Sequence, residues 1–303
     1  MTKVIYSLYI DIPENELDYQ RPHFGSKISK TLHTKTQLKK HYKWLRYMQE
    51  KYAENINIDY KLYEYDDEYK NYHKWFKSTY PQITSYNIVN FYKLKILYDL
   101  SKKYDEVLYL DFDAIPIRQN NFFDYHDFSK GIHIMTGTAE SQPKVDVDIY
   151  EVHEQIGRRY RKKNQIHSNR SPTAKYWNLK AMCIYDGILG DVTMYNTGII
   201  GTNKNQLDKL SYFNNFNETI LIMDSLIAEE SMFPQYIHEL FGYDNEVIWG
   251  YKTMSNKVKT LKLDPTWHHF MDKWNYIPHD VNIVHCINKN FEYVKEYVKK
   301  NNL

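Results

Sequence analysis

The sequence predicts an α/β fold in which a mostly parallel central sheet is flanked by helices within a single large domain. The chain has 303 residues, 42% of them hydrophobic and 26% charged, which is enough apolar material for a sizeable core. Strand-like and helix-like segments alternate from residue 3 to residue 112. No internal repeat or low-complexity linker interrupts the chain. Alternation of this kind is typical of parallel strands that are joined by crossover helices.

Hydrophobic periodicity places the first elements in order. Residues 3–10 (KVIYSLYI) are mostly apolar and predict a strand. Apolar side chains recur near a 3.6-residue period over residues 35–53, which predicts a helix, and residues 56–65 predict a second strand. A helix from about Tyr86 to Lys103 and a strand over residues 106–112 follow. The order β-α-β-α-β therefore predicts a mostly parallel sheet with helices packed on its faces.

The second half of the chain continues the same architecture. Strands are predicted over residues 195–202 and 281–287, and a helical stretch covers residues 217–240. Residues 138–180 are polar and include the basic cluster GRRYRKKNQIHSNRSP at 157–172. This cluster is consistent with a loop, a lid or a partner surface, and also with an ordinary solvated face.

Composition narrows the classes of function. The 40 basic and 38 acidic side chains give a formal charge of +2, so no general field attracts nucleic acid or an anionic membrane. The amino terminus shows no signal peptide, and no window reaches ~18 consecutive apolar residues, so no spanning helix is expected. Cys183 and Cys286 match no metal or redox spacing. These features predict a cytoplasmic protein.

Two aspartates end the predicted strand at residues 106–112. Side chains two residues apart on a strand point to the same face, so Asp111 and Asp113 should lie together while Phe112 points to the other face. Ligands of open parallel sheets bind beyond the carboxyl ends of the strands. Clustered carboxylates repel each other unless a positive group lies between them, and hard oxygen ligands suit Mg²⁺ or Mn²⁺. The sequence therefore predicts a divalent metal site.

A lysine in the preceding helix requires an anionic partner. Lys93 falls on the same helical face as Val89, Leu97 and Leu100, a face that is otherwise apolar. Two partners are open: the aspartate pair itself, or the phosphates of a ligand that the metal holds.

Several segments together resemble a known enzyme class. They are NFYKLKILYDLSKKYDEVLYLDFDAIPI (90–117), MYNTGIIGTN (194–203), AEESMF (228–233) and NIVHCINKN (282–290). Their order and spacing resemble the GT-A class of nucleotide-sugar glycosyltransferases, closest to the glycogenin-like, family 8 type. The resemblance implies a GT-A, Rossmann-like catalytic domain over residues 1–303. Within it, residues 1 to about 125 would form the nucleotide-sugar half, and about 126 to 303 the acceptor half with a carboxyl-terminal metal segment.

The resemblance also implies roles for the charged residues. Asp111 and Asp113 match the D-x-D motif that holds Mn²⁺ (or Mg²⁺) against the nucleotide diphosphate, and His285 matches the third metal ligand. Lys93 matches a basic residue near the diphosphate and the donor sugar. Lys289 is the candidate phosphate contact, although the glycine and the Lys-Pro-Trp-like end that usually follow the histidine are missing here.

The remaining implied residues bind the donor. Asn196, Thr197 and Gly198 match an N-[ST/A]-G turn that holds the donor or acceptor sugar, and glycine permits close backbone approach. Glu229 and Glu230 match the acidic pair in the reaction cleft, with Glu230 nearer the anomeric carbon. Adjacent acids on a helix point about 100° apart, so at most one faces the site. The residues assigned to the nucleotide are Leu8, Tyr9, Ile10, Asp11 and Phe112.

The resulting expectation is a metal-dependent transferase. It would move a sugar from a UDP-sugar to a hydroxyl of a glycan, a protein or a small molecule, with retention at the anomeric carbon. An inverting enzyme would instead need a general base, for which Glu229, Glu230 and Asp191 are candidates.

Three other classes fit parts of the sequence. In a haloacid-dehalogenase-like phosphatase, Asp111 would be the nucleophile and Asp113 the acid/base. A nucleotidyltransferase would need a glycine-rich phosphate loop after the first strand, and residues 7–19 contain no glycine. A non-catalytic carbohydrate-binding protein would keep the fold without the chemistry.

Overall fold

The computed structural model describes residues 1–18, 30–137, 172–188, 192–228, 242–271 and 275–303. Its strands, numbered in chain order, are β1 (Lys3–Tyr9), β2 (Asp59–Glu64), β3 (Glu106–Leu110), β4 (Ala114–Pro116), β5 (Ile132–Thr136), β6 (Tyr195–Thr202), β7 (Thr260–Lys262), β8 (His269–Phe270) and β9 (Ile283–His285). Its helices are α1 (Lys30–Asn55), α2 (Asp67–Thr79), α3 (Ser85–Ser101), α4 (Phe122–Tyr125), α5 (Pro172–Tyr185), α6 (Lys204–Leu210), α7 (Phe216–Ala228), α8 (Asn245–Ser255) and α9 (Phe291–Lys300).

The described strands form a central sheet in the order β2-β1-β3-β6-β5-β7 and a small sheet in the order β4-β9-β8. In the central sheet β1 pairs in parallel with both β2 and β3, as the β-α-β-α-β order predicts. β6 runs antiparallel to β3. The predicted α/β class, with a mostly parallel sheet flanked by helices, is confirmed.

Helices cover both faces of β1 and β3. Ile5 and Leu108 lie opposite each other in the sheet and pack with Tyr52 of α1. Tyr6 and Tyr109 are paired one residue further along, so they point to the other face. There the Tyr6 hydroxyl donates a hydrogen bond of 2.7 Å to the main chain of α3. Because both faces are covered, β1 is almost entirely buried, which explains its near-continuous apolar sequence.

The helices begin at capping residues that the sequence contains. Thr84 accepts a hydrogen bond from the Asn87 N–H and starts α3 at Ser85, one residue before the predicted start. α2 was not predicted, although Asp66 caps its first turn and two acidic residues follow at favourable positions. The aromatic side chains of α2 obscure the period, because Trp75 is exposed while Tyr69 and Phe76 are buried.

The chain divides into two compact units. The first comprises Met1–Met135, Gly198–Lys204 and Leu261–Leu303, and the second comprises Thr136–Thr197 and Asn205–Thr260. The second unit has its own core, in which α5 packs against α7 and α8. Its buried apolar side chains are Leu179, Ala181, Met182, Cys183, Val192, Met194, Met223, Leu226, Val247 and Tyr251. The assignment of about 1–125 and 126–303 to nucleotide and acceptor halves stays a prediction.

Two expectations from composition concern cysteines and membranes. Cys183 and Cys286 are both free thiols and both buried. Within the described ranges, every helix is too short or too polar to cross a membrane.

Candidate functional site

The carboxyl end of β3 leads into a tight turn that carries both aspartates. β3 ends at Leu110, and the Ala114 N–H closes the turn with a 2.8 Å hydrogen bond to the Asp111 carbonyl. β4 then pairs antiparallel with β9, so that Ala114 lies opposite His285. The Cys286 N–H donates a 2.9 Å hydrogen bond to the Asp113 carbonyl. Backbone pairing therefore holds a histidine from near the carboxyl end of the chain against the aspartate turn.

The three side chains converge on one point. Each of Asp111, Asp113 and His285 offers one ligand atom, and these atoms lie within 4.8 Å of one another. His285 Nε2 is 3.6 Å from Oδ2 of Asp111 and 3.6 Å from Oδ2 of Asp113. Asp113 and His285 are buried, whereas the Asp111 side chain is 28% exposed. The ligand atoms are close enough together to bind one small cation, and Asp111 is the most exposed of the three residues.

The reason for this convergence differs from the predicted one. Strand alternation does not orient the carboxylates, because Asp111 to Asp113 lie beyond the last residue of β3. The turn itself brings them together. Phe112 does point away from them, as predicted: it is 3% exposed, and its ring lies 5.1 Å from that of Tyr9 and 5.7 Å from that of Tyr42.

Lys93 reaches the site from α3. It is 3% exposed, and its Nζ lies 3.5 Å from Oδ1 of Asp111 and 5.1 Å from the centre of the Tyr109 ring. Lys93 therefore faces Asp111, one member of the aspartate pair, and its contact with a phosphate stays a prediction. The negative charge of the Asp111 carboxylate and the face of the Tyr109 ring both offset the cost of burying the Lys93 ammonium.

Tyr109 adds a hydrogen-bond donor to the same carboxylate. Its hydroxyl donates to Oδ1 of Asp111 over 2.5 Å. Burial, helped by the negative charge of Asp111, holds the pKa of Tyr109 well above its ordinary value, so the hydroxyl keeps its proton. Asp111 is therefore held at Oδ1 by Tyr109 and Lys93, and its Oδ2 faces His285.

Lys289 occupies the other side of the pair. Its ammonium contacts Oδ2 of Asp113 in a buried ion pair. Burial disfavours charge on both groups, but their attraction outweighs it, so the pKa of Asp113 lies below its usual value and that of Lys289 above. Lys289 has φ of 59°, a left-handed conformation that a lysine rarely adopts. Such strain persists only where surrounding contacts impose it, and it is common at functional sites.

The donor set fits a divalent cation. Two carboxylate oxygens and one imidazole nitrogen are hard and intermediate ligands that suit Mn²⁺, and the oxygens alone would suit Mg²⁺. Three protein ligands leave positions for oxygens of a bound substrate. Asp111, Asp113 and His285 would hold the ion.

The predicted nucleotide residues lie at the same edge of the sheet. Tyr6 of β1 pairs with Tyr109 of β3, so the end of β1, which stays paired with β2 as far as Tyr9, lies beside the aspartate turn. The Tyr9 and Tyr42 rings are 4.7 Å apart. Asp11 forms an ion pair of 2.9 Å with Lys35. Leu8 is buried, while Tyr9, Ile10 and Asp11 are partly exposed and available to a ligand at this edge.

The Asn-Thr-Gly segment lies in β6. The carbonyl of Gly198 accepts a 2.7 Å hydrogen bond from the Asp111 N–H, so this glycine directly supports the aspartate turn. In the second unit, Thr197 donates its N–H to Glu246 over 2.9 Å, and its hydroxyl accepts from Asn245 over 2.8 Å. Asn196 is half-buried. Thr197 is therefore engaged by protein groups inside its own unit.

Several predicted residues lie outside the described part of the chain. They are Glu229 and Glu230, the alternative base Asp191, and basic residues 158–163. Their roles stay predictions.

The sequence did not predict a role for three residues that contact the candidate site residues in the structure. His268 forms a hydrogen bond with the candidate ligand His285, and Tyr109 donates to Asp111. Glu246 is buried and forms an ion pair with Lys175 while it accepts from Thr197. The two acidic residues Asp244 and Glu246 at a helix start and the His-His pair at 268 and 269 were visible signals. Neither shows its partner, because the contacting residues are 17 to 71 positions away in the chain.

Comparison with known proteins gave weak structural similarities only. No protein-family model and no curated protein matches the sequence. Among solved structures, a glycosyltransferase involved in the glycosylation of the major capsid of PBCV-1 is 11% identical, with a TM-score of 0.42 over 99% of this chain and 100% of that one. Mouse xyloside xylosyltransferase 1 in its apo form is 11% identical, with a TM-score of 0.38 over 75% and 76%. These values are too low to carry a function over to this chain.

Some of the features behind the sequence resemblance lie within the described residues. The central α/β sheet is formed, and the aspartates of the D-x-D motif meet the histidine that ends the last strand. The functional argument rests on this cluster and on the two lysines beside it.

Proposed function

We propose that the protein is a metal-dependent glycosyltransferase that moves a sugar from a nucleotide-diphosphate sugar, a UDP-sugar, to an acceptor hydroxyl with retention. The observation that carries this proposal is the convergence of Asp111, Asp113 and His285 at the carboxyl end of β3, flanked by Lys93 and Lys289. Two carboxylates, one imidazole and two ammonium groups form a site for a cation together with a polyanion. A nucleoside diphosphate bound to Mn²⁺ has this composition.

Each charged group would have a role in the transfer reaction. Transfer breaks the bond between the anomeric carbon and the diphosphate and forms a bond from that carbon to the acceptor oxygen, whose proton is released. When bound, Mn²⁺ supplies positive charge that stabilises the departing diphosphate. Asp111, Asp113 and His285 would hold the ion, and Lys93 and Lys289 would stabilise the charge that develops on the phosphate oxygens. Glu230 or Glu229 would stabilise positive character on the sugar.

The arrangement of Asp111 favours this role over that of a phosphatase nucleophile. Its Oδ1 accepts the Tyr109 hydroxyl and faces Lys93, and its Oδ2 faces His285. A nucleophilic carboxylate needs one oxygen free to attack phosphorus, whereas a metal ligand needs one oxygen oriented toward its co-ligands. The shared orientation of Asp111 and Asp113 toward His285 meets the second requirement.

Thermal melting with four additives tests the function. We expect UDP to raise the melting temperature only when Mn²⁺ is present, because ligands that bind the native state stabilise it. GDP and orthophosphate serve as comparison ligands. A response to orthophosphate alone would point to the phosphatase, and no response to any additive would point to a non-catalytic protein. A screen of nucleotide sugars for Mn²⁺-dependent hydrolysis then identifies the donor.

Replacement of Lys93 by methionine tests the diphosphate contact. Methionine keeps the apolar stem in its buried position but removes the ammonium. Hydrogen bonds to charged groups contribute roughly 1.5–3 kcal/mol, so we expect donor affinity to fall by roughly 10- to 100-fold. Mn²⁺ affinity without nucleotide should not fall, because the Lys93 ammonium no longer competes with the ion for Asp111.

Lys102→Met, at the exposed residue that follows α3, is the matched control, since its ammonium pairs only with Asp99 among the described contacts. Calorimetric titration with UDP in the presence of Mn²⁺ gives the donor affinity. Equal affinities for the wild type and Lys93→Met would show that Lys93 serves only to neutralise Asp111.

A further inference from the structure

A second buried histidine touches the candidate metal ligand. His268 immediately precedes β8, is 1% exposed, and places its Nε2 2.8 Å from Nδ1 of His285. The strands fix this contact: β8 pairs in parallel with β9, with Phe270 opposite His285. The backbone N–H of His268 donates a hydrogen bond of 3.2 Å to the Asp264 carbonyl. Both rings are therefore positioned by backbone hydrogen bonds.

Metal binding by His285 requires a defined proton position. Its Nε2 is the atom that faces Asp111 and Asp113, so this nitrogen must present a lone pair to the ion. The proton of the neutral ring must then lie on Nδ1, which points at His268. A lone pair on His268 Nε2 can accept that proton in a hydrogen bond. In the opposite tautomer His285 would direct an N–H at the carboxylates and could not bind a metal.

Nothing else in the described surroundings uses the polar atoms of His268. Its Nδ1 is buried and has no hydrogen-bond partner among the described residues. The ring lies against Phe270, with centroids 4.5 Å apart. Burial of an imidazole with one unpaired nitrogen is costly, and an apolar ring would fill the same space without that cost. The hydrogen bond to His285 is the only polar interaction that offsets it among these contacts.

We propose that His268 is a positioning residue that accepts the Nδ1 proton of His285 and so directs a lone pair of His285 Nε2 to the metal. This inference rests on the proposed metal site. Groups that orient a metal-bound histidine through its second nitrogen usually affect metal affinity by 10- to 100-fold.

Three variants separate the hydrogen bond from the packing. His268→Phe keeps an aromatic ring beside Phe270 but cannot accept a proton. His268→Gln can accept one through its amide oxygen. His269→Ala is the control, because His269 bonds to the Tyr276 carbonyl over 2.7 Å and not to His285.

Mn²⁺ titration followed by electron paramagnetic resonance measures affinity, and spin-echo modulation detects coordinated imidazole nitrogen. We expect His268→Phe to weaken Mn²⁺ binding by roughly 10- to 100-fold and to diminish the nitrogen signal. His268→Gln should recover most of both, and His269→Ala should match the wild type. Melting temperatures in EDTA establish that each variant folds.

A direct measurement needs no substitution. In ¹⁵N-labelled wild-type protein with Mg²⁺ and UDP, we expect the His285 proton on Nδ1. A proton on Nε2, or wild-type Mn²⁺ affinity and nitrogen signal in a folded His268→Phe variant, would overturn the role of His268 and leave the transferase proposal intact. Absence of Mn²⁺ binding by the wild type would overturn both.

Discussion

Asp111→Asn and Asp113→Asn should each reduce Mn²⁺-dependent donor hydrolysis by on the order of a thousandfold. The amide keeps the size of the side chain but loses the negative charge that binds the ion. Metal ions contribute several kcal/mol of charge stabilisation to the transition state, and each 1.36 kcal/mol is a factor of ten in rate. Activity measured at saturating UDP-sugar over a range of Mn²⁺ concentrations separates weaker metal binding from slower chemistry.

The two variants should differ in stability. In Asp111→Asn the new amide oxygen could still accept the Tyr109 hydroxyl, and the buried ammonium of Lys93 loses its carboxylate partner but keeps the Tyr109 ring. This variant should therefore lose less stability in EDTA than Asp113→Asn. Asp113 is more buried and compensates the buried ammonium of Lys289, so Asp113→Asn leaves that charge without its partner. We expect a loss of roughly 3–5 kcal/mol in the free energy of unfolding, the usual cost of removing one partner from a buried ion pair.

Asp59→Asn on the exposed first position of β2 is the control for loss of one carboxylate elsewhere. It should retain full activity. Full Mn²⁺-dependent activity in either Asp111→Asn or Asp113→Asn would remove the metal assignment. If the wild-type activity did not depend on Mn²⁺ and were still lost in Asp111→Asn, the result would instead favour Asp111 as a nucleophile.

The elements that sequence predicts well are those whose signal is local. β1 and β3 are buried on both faces and appear as apolar runs, and α3 carries both an apolar face and a capping threonine. The aspartates stand out because two charges directly follow an apolar run. Lys93 stands out because a helical period places it among apolar residues.

The rest depends on contacts that are distant in sequence. No local pattern links His268 to His285 or Glu246 to Thr197, since strand pairing and helix packing create these contacts. The end of β3 is also a tertiary feature: the Ala114–His285 pairing and the turn hydrogen bond stop the strand at Leu110, although the predicted strand continues to Phe112. Sequence could therefore place the aspartates together but not explain how they meet.

Lys289 should make the binding of Mn²⁺ and UDP mutually dependent. Without ligands, two carboxylates face two ammonium groups, so the cluster is formally neutral when His285 is uncharged. A divalent ion alone must compete with Lys289 for Oδ2 of Asp113 and leaves an excess charge of +2. A diphosphate supplies an anionic partner for the displaced ammonium. Each ligand should therefore strengthen the binding of the other by the same factor.

Lys289→Met should remove much of this dependence. Methionine leaves the left-handed backbone conformation as costly as before and deletes only the ammonium. Mn²⁺ alone should bind more tightly than in the wild type, because Asp113 no longer has a competing cation. UDP affinity in the presence of Mn²⁺ should fall by about a hundredfold, since the loss of one partner from a buried charge pair costs roughly 2–5 kcal/mol.

Titrations of Mn²⁺ with and without UDP, and of UDP with and without Mn²⁺, give the coupling factor by two routes that must agree. Lys295→Met is the matched control, because that lysine lies on α9 and pairs with the exposed Glu292. Equal coupling in the wild type and Lys289→Met would show that the ammonium stays on Asp113 when ligands bind. Lys289 would then stabilise the turn rather than the diphosphate. Lys93 and the ion alone would stabilise the charge that develops on the leaving group.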